Sequence, residues 1–224
     1  MSVSRGQVFS SNSGLSRELR DIRRLYDETS FGVVKIDGSL DPSFHTSLRT
    51  EILAVYGKGG NRDCYRLEDV LSEQRSELSE KLPICMLLAE SYTQFVYNPI
   101  GKIVGFPSIS RVNSITICRY DGLDSKYKFH GFDYHRDAPS YGNLIGIVSV
   151  EGSAVFTVGC EDRESGRDVD LSSFAVYPGT LTLMRGARLG IDDDKGQSFR
   201  PLHKAKVSGK EDRYFVVFRQ DVSR

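Results

Sequence analysis

His135-Arg136-Asp137, His203, Arg213 and Arg219 are the side chains of this chain whose types and spacing suit metal chemistry and anion binding. On an extended strand, side chains two apart share a face. His135 and Asp137 can therefore meet one ion while Arg136 points away. His203, in Arg200-Pro201-Leu202-His203, would bring a third ligand from a distant strand. Two imidazoles and one carboxylate hold a divalent ion on one side and leave its other positions open. That ligand set suits non-haem Fe(II) oxygen chemistry. It also leaves the ion with residual positive charge for an anionic cosubstrate to neutralise.

The last strand offers the anion site. In Arg213-Tyr214-Phe215-Val216-Val217-Phe218-Arg219 the two arginines are six residues apart, an even number, so they share a face with Phe215 and Val217. Guanidinium groups set among apolar residues are costly to bury without anionic partners. A dicarboxylate supplies such partners, and the arginine fork fits a carboxylate through two parallel hydrogen bonds. The competing reading is an edge strand whose arginines reach solvent or pair with local acids. His45 and His130 are read as ordinary surface or core histidines. His45 falls on the polar side of a helical segment, and His130-x-x-Asp133 lacks the strand-face spacing of His135 and Asp137.

These residues need a scaffold, and the pattern changes character midway. The first half reads as helical. Leu15, Leu19, Ile22 and Leu25 recur at helical spacing. Phe31 to Ile36 reads as a short strand ended by Asp37-Gly38. Asp41 can cap a second helix, Pro42 suits its first turn, Phe44, Leu48 and Ile52 form its stripe, and Gly57 can end it. Leu67, Leu71, Leu78 and Leu82 suggest a third helix, and Pro83 starts a fourth that runs to about Tyr97.

The second half reads as strands. Ile115 and Ile117 alternate with polar neighbours, and Leu144 to Val150 and Ala154 to Val158 are rich in branched residues. Tyr177-Pro178-Gly179-Thr180 has the Pro-Gly pair of a type II turn. Tyr214 to Phe218 closes the set. The reading is α+β: helices packed against one β sandwich or barrel, in one domain over residues 1–224. Residues 1–111 supply mainly helical support and substrate-side elements, and 112–224 the β core.

Composition narrows the function class. The 224 residues suffice for one sizeable core. Thirty basic and thirty acidic side chains cancel, so no global positive field gathers nucleic acid. Cys64, Cys85, Cys118 and Cys160 are dispersed without metal or disulfide spacing, which predicts reduced thiols in a cytoplasmic protein. The start lacks the apolar run of a signal peptide, and no stretch has the length of a membrane helix.

From Asn113 to Gln220 the chain resembles the Fe(II)/2-oxoglutarate-dependent dioxygenase superfamily, and within it the AlkB-like branch. The parts stand in family order: Cys118-Arg119-Tyr120, His135-Arg136-Asp137, Ile147-Val148-Ser149-Val150 with Ala154-Val155-Phe156, Pro178-Gly179-Thr180-Leu181, Pro201-Leu202-His203, and Arg213 through Gln220. The resemblance implies a double-stranded β-helix, or jelly-roll, core. It implies iron ligation by His135, Asp137 and His203. It implies that Arg213, helped by Tyr120, binds the distal carboxylate of 2-oxoglutarate, with Arg219 near the chelating end. The cofactors would be Fe(II), 2-oxoglutarate and O2, with succinate and CO2 as coproducts. The stretch from Tyr120 to His135 is longer than the family pattern, which predicts an inserted loop, Asp121–Phe132, near the mouth. The substrate pocket is expected to be lined by the N-terminal helices, this insert and the Arg185–Asp194 loop, whose Arg185 and Arg188 either grip an anion or form a solvated turn. A small molecule is the leading substrate class, demethylation of alkylated nucleic-acid bases the second, and a non-enzymatic β-barrel binding module the third.

Overall fold

Two antiparallel sheets stacked face to face carry the molecule, with helices on the outer side of the larger one. The computed structural model describes residues 8–10, 32–56, 65–68, 80–104, 112–123, 129–162, 164–187 and 200–221. Strand β1 spans Val33–Ile36, helix α1 Pro42–Tyr56 and strand β2 Tyr65–Glu68. Helix α2, Pro83–Tyr92, passes through a π-helical turn, Thr93–Tyr97, into α3, Asn98–Val104. The strands β3 Ser114–Tyr120, β4 Gly131–His135, β5 Tyr141–Glu151, β6 Ala154–Glu161, β7 Asp168–Val176, β8 Leu181–Arg185, β9 Leu202–Val207 and β10 Arg213–Asp221 complete the order. The six-stranded sheet runs β1-β8-β5-β10-β3-β2, and the four-stranded sheet runs β4-β9-β6-β7.

The local signals act where the sequence placed them. Asp41 Oδ1 accepts hydrogen bonds from the Ser43 and Phe44 amides at 2.9 and 3.2 Å, which satisfies donors that the first turn of α1 would otherwise leave bare. Phe44, Leu48 and Ile52 are fully buried, each worth about 1.5–3 kcal/mol of hydrophobic transfer. The Pro-Gly turn forms as predicted: Gly179 has φ +82°, and the Thr180 amide donates to Tyr177 O at 3.0 Å. Pro83 opens α2, and the helical path continues past Tyr97 to Val104. Leu67, by contrast, lies in a strand. Tyr65–Glu68 pairs with Ser114–Ile117, because an open edge of β3 offers the chain a full ladder of hydrogen bonds. The expected Leu15–Leu25 helix, the Gly57 stop and Leu71 and Leu78 fall outside the described residues.

Alternation along β10 divides the core in two. Tyr214, Val216 and Phe218 face the helices and join Ile115, Ile117, Phe44 and Tyr92 in one apolar cluster. Phe215 and Val217 face the opposite way and pack with Cys118, Ile147, Phe156, Val158 and Ala205 between the sheets. The helices therefore seal the outer face of the six-stranded sheet, and the space between the sheets is left for the site. No helix among the described residues is long and apolar enough to cross a membrane.

Candidate active site

A cavity of about 300 Å³ opens between the two sheets. Its wall includes His135, Asp137, His203, Tyr120, Arg213 and Arg219, the six residues singled out in the sequence. No described helix residue lines it, in contrast to the expectation that the N-terminal helices would. The helices instead use their apolar stripes to cover the sheet's other side. Of the insert, Phe132 reaches the wall, while Arg185 is buried at the end of β8 and does not line it. Arg188 and Asp192–Asp194 lie outside the described residues. Arg136 also borders the cavity, contrary to the expectation that it points away. Strand β4 stops at His135, so strand alternation no longer governs the next residue.

The two histidines sit opposite each other on β4 and β9, with ring centroids 4.3 Å apart. His135 Nδ1 lies 2.8 Å from Asp133 O and His203 Nδ1 3.0 Å from Pro201 O. A carbonyl oxygen only accepts, so each Nδ1 carries a proton, and in the neutral ring Nε2 keeps a bare lone pair. Burial holds the His203 pKa below its ordinary value, with Asp137 opposing that effect in part. His203 is thus neutral near pH 7, and its Nε2 faces Asp137 Oδ2 across 3.7 Å. Two ligand-type atoms face each other there. Two donors bonded to one ion at ~2.1 Å each stand at most ~4.2 Å apart, so this pair can share a cation without backbone movement. The ring of His203 is held flat against Phe156, at 5.4 Å and 8°.

The three side chains adjoin without closing on a common point. Among the described residues, no group of three or more His, Cys, Asp or Glu stands arranged around a metal position. Asp137 is drawn aside: its Oδ1 accepts a hydrogen bond from Arg219 Nη2 at 3.3 Å, and its backbone oxygen takes one from Arg200 Nη1. Arg219 also donates from Nη1 to Thr116 Oγ1 at 3.2 Å and lies over the Tyr141 ring at 4.6 Å. Its Nε is buried without a partner.

Arg213 is the most anomalous group. It is 2% exposed, and its Nε has no hydrogen-bond partner. One long hydrogen bond runs from Nη2 to Ser149 Oγ, at 3.4 Å. The guanidinium lies 4.3 Å from the Phe215 ring centre and 5.6 Å from that of Tyr120. Burial pushes its pKa down to about 10, opposed in part by the Tyr120 hydroxyl and the Cys118 thiol but by no carboxylate among the described residues. A buried, uncompensated cation on a cavity wall calls for an anionic ligand.

Sequence reasoning missed Ser149, Thr116, Tyr141 and Phe156. Strand parity could have found the first two: Thr116 shares a face with Cys118 and Tyr120, and Ser149 shares one with Ile147. The same parity puts Tyr141 on the Ile147 face of β5, whereas Phe156 stands in the Ala154-Val155-Phe156 segment with no separate signal toward the site. His45 and His130 stay out of the site: His45 Nε2 meets Val150 O at 2.8 Å and His130 Nδ1 meets Asp121 O at 3.0 Å. The described ends of the insert are zipped together, with the Asp121 amide donating to Phe129 O at 2.7 Å and the Phe129 amide donating to Asp121 Oδ2 at 2.9 Å.

No protein-family model and no curated protein matches this sequence. Solved structures do match its fold. A prolyl hydroxylase from Trichoplax adhaerens, in complex with a hypoxia-inducible-factor peptide fragment, superposes with a TM-score of 0.54 at 14% identity, over 93% of each chain. A full-length Neurospora crassa protein in complex with alpha-KG gives 0.56 at 12% identity, over 92% of this chain and 79% of that one. HygX from Streptomyces hygroscopicus, with nickel and 2-oxoglutarate bound, gives 0.53 at 14%, over 88% and 85%. The chain has the jelly-roll fold of these proteins, with its cavity enclosed between the two sheets.

Proposed function

We propose that the protein is an Fe(II)- and 2-oxoglutarate-dependent oxygenase that hydroxylates or otherwise oxidises a small molecule. His135, Asp137 and His203 would hold the iron, and Arg213, with Tyr120 beside it, the distal carboxylate of 2-oxoglutarate. Arg219 would stand near the chelating end and restrain Asp137. Once bound, Fe(II), 2-oxoglutarate and O2 supply the oxidising power, with succinate and CO2 released. The chain's own residues do the rest. The Asp133 and Pro201 carbonyls fix both imidazoles with Nε2 free, a backbone brace that also raises ligand basicity. Phe156, Phe215 and Val217 supply the apolar part of the cavity wall, which strengthens the action of the charges set beside them.

The observation that carries this reading is Arg213, a buried cation with an unfilled donor on the same cavity as a carboxylate and two imidazole lone pairs. The fold agrees, since structures that share it hold alpha-KG or 2-oxoglutarate. We place the chain in the AlkB-like branch on the order of its motifs, read 1–224 as one catalytic unit, and take its setting to be cytoplasmic. A small substrate is preferred to nucleic acid because the charges of the chain balance.

The test is succinate formation from 2-oxoglutarate with Fe(II), with and without candidate substrates. Turnover is expected in the intact protein and not in His135→Ala, whose far-UV circular dichroism should be unchanged. If no condition yields succinate, the protein is a β-barrel binding module instead.

A further inference from the structure

We infer that Arg136 selects an anionic substrate, a carboxylic acid carried on an apolar body, at the mouth of this same cavity. The inference rests on the oxygenase reading and names its substrate class. The cavity wall holds three arginines, Arg136, Arg213 and Arg219, against one carboxylate, Asp137. Two of those cations already have a claim on them. Arg219 is paired with Asp137 at 3.3 Å. Arg213, at the buried end, is assigned to the distal carboxylate of the cosubstrate. A divalent ion and the doubly charged cosubstrate cancel each other. The wall itself therefore keeps two net positive charges: Arg213 carries the one at the buried end, and Arg136, with no ion pair among the described residues, the one at the exposed end, where a substrate enters.

Its surroundings define the rest of the molecule. Phe132 is 45% exposed, an unusual state for a phenylalanine on a cavity wall. It is propped edge-on by Phe129 at 5.3 Å and Tyr120 at 5.9 Å, and its ring lies 5.4 Å from that of His135. An apolar body resting on Phe132 would therefore lie beside a proposed iron ligand. An acid group extending outward would meet a guanidinium whose fork accepts a carboxylate through two bonds. A field of one sign at a low-dielectric mouth also concentrates anions there.

The test uses the full chain loaded with Mn(II) and 2-oxoglutarate, without oxygen. A set of alkyl and aryl monocarboxylic acids of graded chain length, each paired with its primary amide, is titrated by calorimetry. At least one acid should bind roughly tenfold tighter than its amide, the size of one charge-assisted hydrogen-bonded contact. Arg136→Gln should erase that ratio and Arg136→Lys keep part of it, while 2-oxoglutarate affinity stays unchanged in both. Equal binding of acid and amide across the set, absence of binding by either, or a ratio that survives Arg136→Gln overturns the inference. So does a single-stranded oligonucleotide that displaces the bound acid at physiological salt, since Arg136 would then belong to a phosphate track. Failure of the loaded chain to bind 2-oxoglutarate at all is a separate result: it removes the oxygenase reading and this inference with it.

Discussion

His135 lies directly across from His203, and it does so because β4 carries one extra residue between Phe132 and His135. Gly131 pairs with Lys206 and Phe132 with Ala205, so an unbroken ladder would set Tyr134 against His203. The bulge lets Phe132 and His135, an odd number apart, both face the cavity. Tyr134 turns to the outer face, where Lys204 lies 4.3 Å over its ring.

Strand parity predicts opposite results for two deletions. Removing Asp133 alone makes the ladder regular and keeps His135 opposite His203, so Mn(II) affinity should fall by no more than several-fold. Removing Asp133 and Tyr134 together turns His135 outward, and affinity should drop at least ~100-fold, the upper range for disturbing a metal site. Electron paramagnetic resonance of added Mn(II) reads both. Equal affinity in the two deletions would show that the bulge does not aim His135.

Arg213→Met should act in two directions. Without ligand it should stabilise the fold or leave it unchanged, because a buried cation without an anion is replaced by an apolar chain of similar length. With 2-oxoglutarate it should cost about 2–5 kcal/mol of binding, a loss of roughly 30-fold or more. Thermal melts with and without 2-oxoglutarate separate the two effects. A ligand-free variant that melts well below the parent would make Arg213 structural.

Asp41 sets a pH dependence. Hydrogen bonds from the Ser43 hydroxyl and then the Phe44 amide hold its carboxyl below the ordinary value of 3.8. A depressed carboxyl stabilises the fold above the unfolded value, and that contribution is lost as the pH falls through the folded one. Asp41→Ala should therefore melt lower than the parent at pH 7, and the gap should close as the pH drops below 3.8. A gap that stays constant into acid would assign the effect to something other than the charged cap.

Gly131 begins β4 at φ +127°, and a Cβ there would collide with Ala205 O. Gly131→Ala should cost about 1–3 kcal/mol of stability from backbone strain, seen as a lower urea midpoint. It should also weaken Mn(II) binding, because β4 must move off β9 and take His135 with it. Unchanged metal affinity would uncouple this turn from the site.

The residues of the site were legible because their signals are local. The even spacing from Arg213 to Arg219 puts Arg213, Phe215, Val217 and Arg219 on one wall, and the Phe44-Leu48-Ile52 stripe is buried as spaced. Leu67 misled because a leucine spacing that suits a helix also suits a strand when an edge lies open, as at β3. The helices were legible as helices, yet not the side they would cover. That depended on Tyr214, Val216 and Phe218 making the outer face of the six-stranded sheet apolar.

The sequence by itself determined which polar side chains would be candidates on the cavity wall and which face of β10 they share, because periodicity is a property of neighbouring residues. Only the tertiary structure decided that β4 would bulge, that Arg136 would border the cavity and that Arg213 would be buried with no carboxylate partner among the described residues. Those outcomes turn on register and burial between strands far apart in the chain, where the choice of partner follows from the apolar surface that the whole assembly can hide.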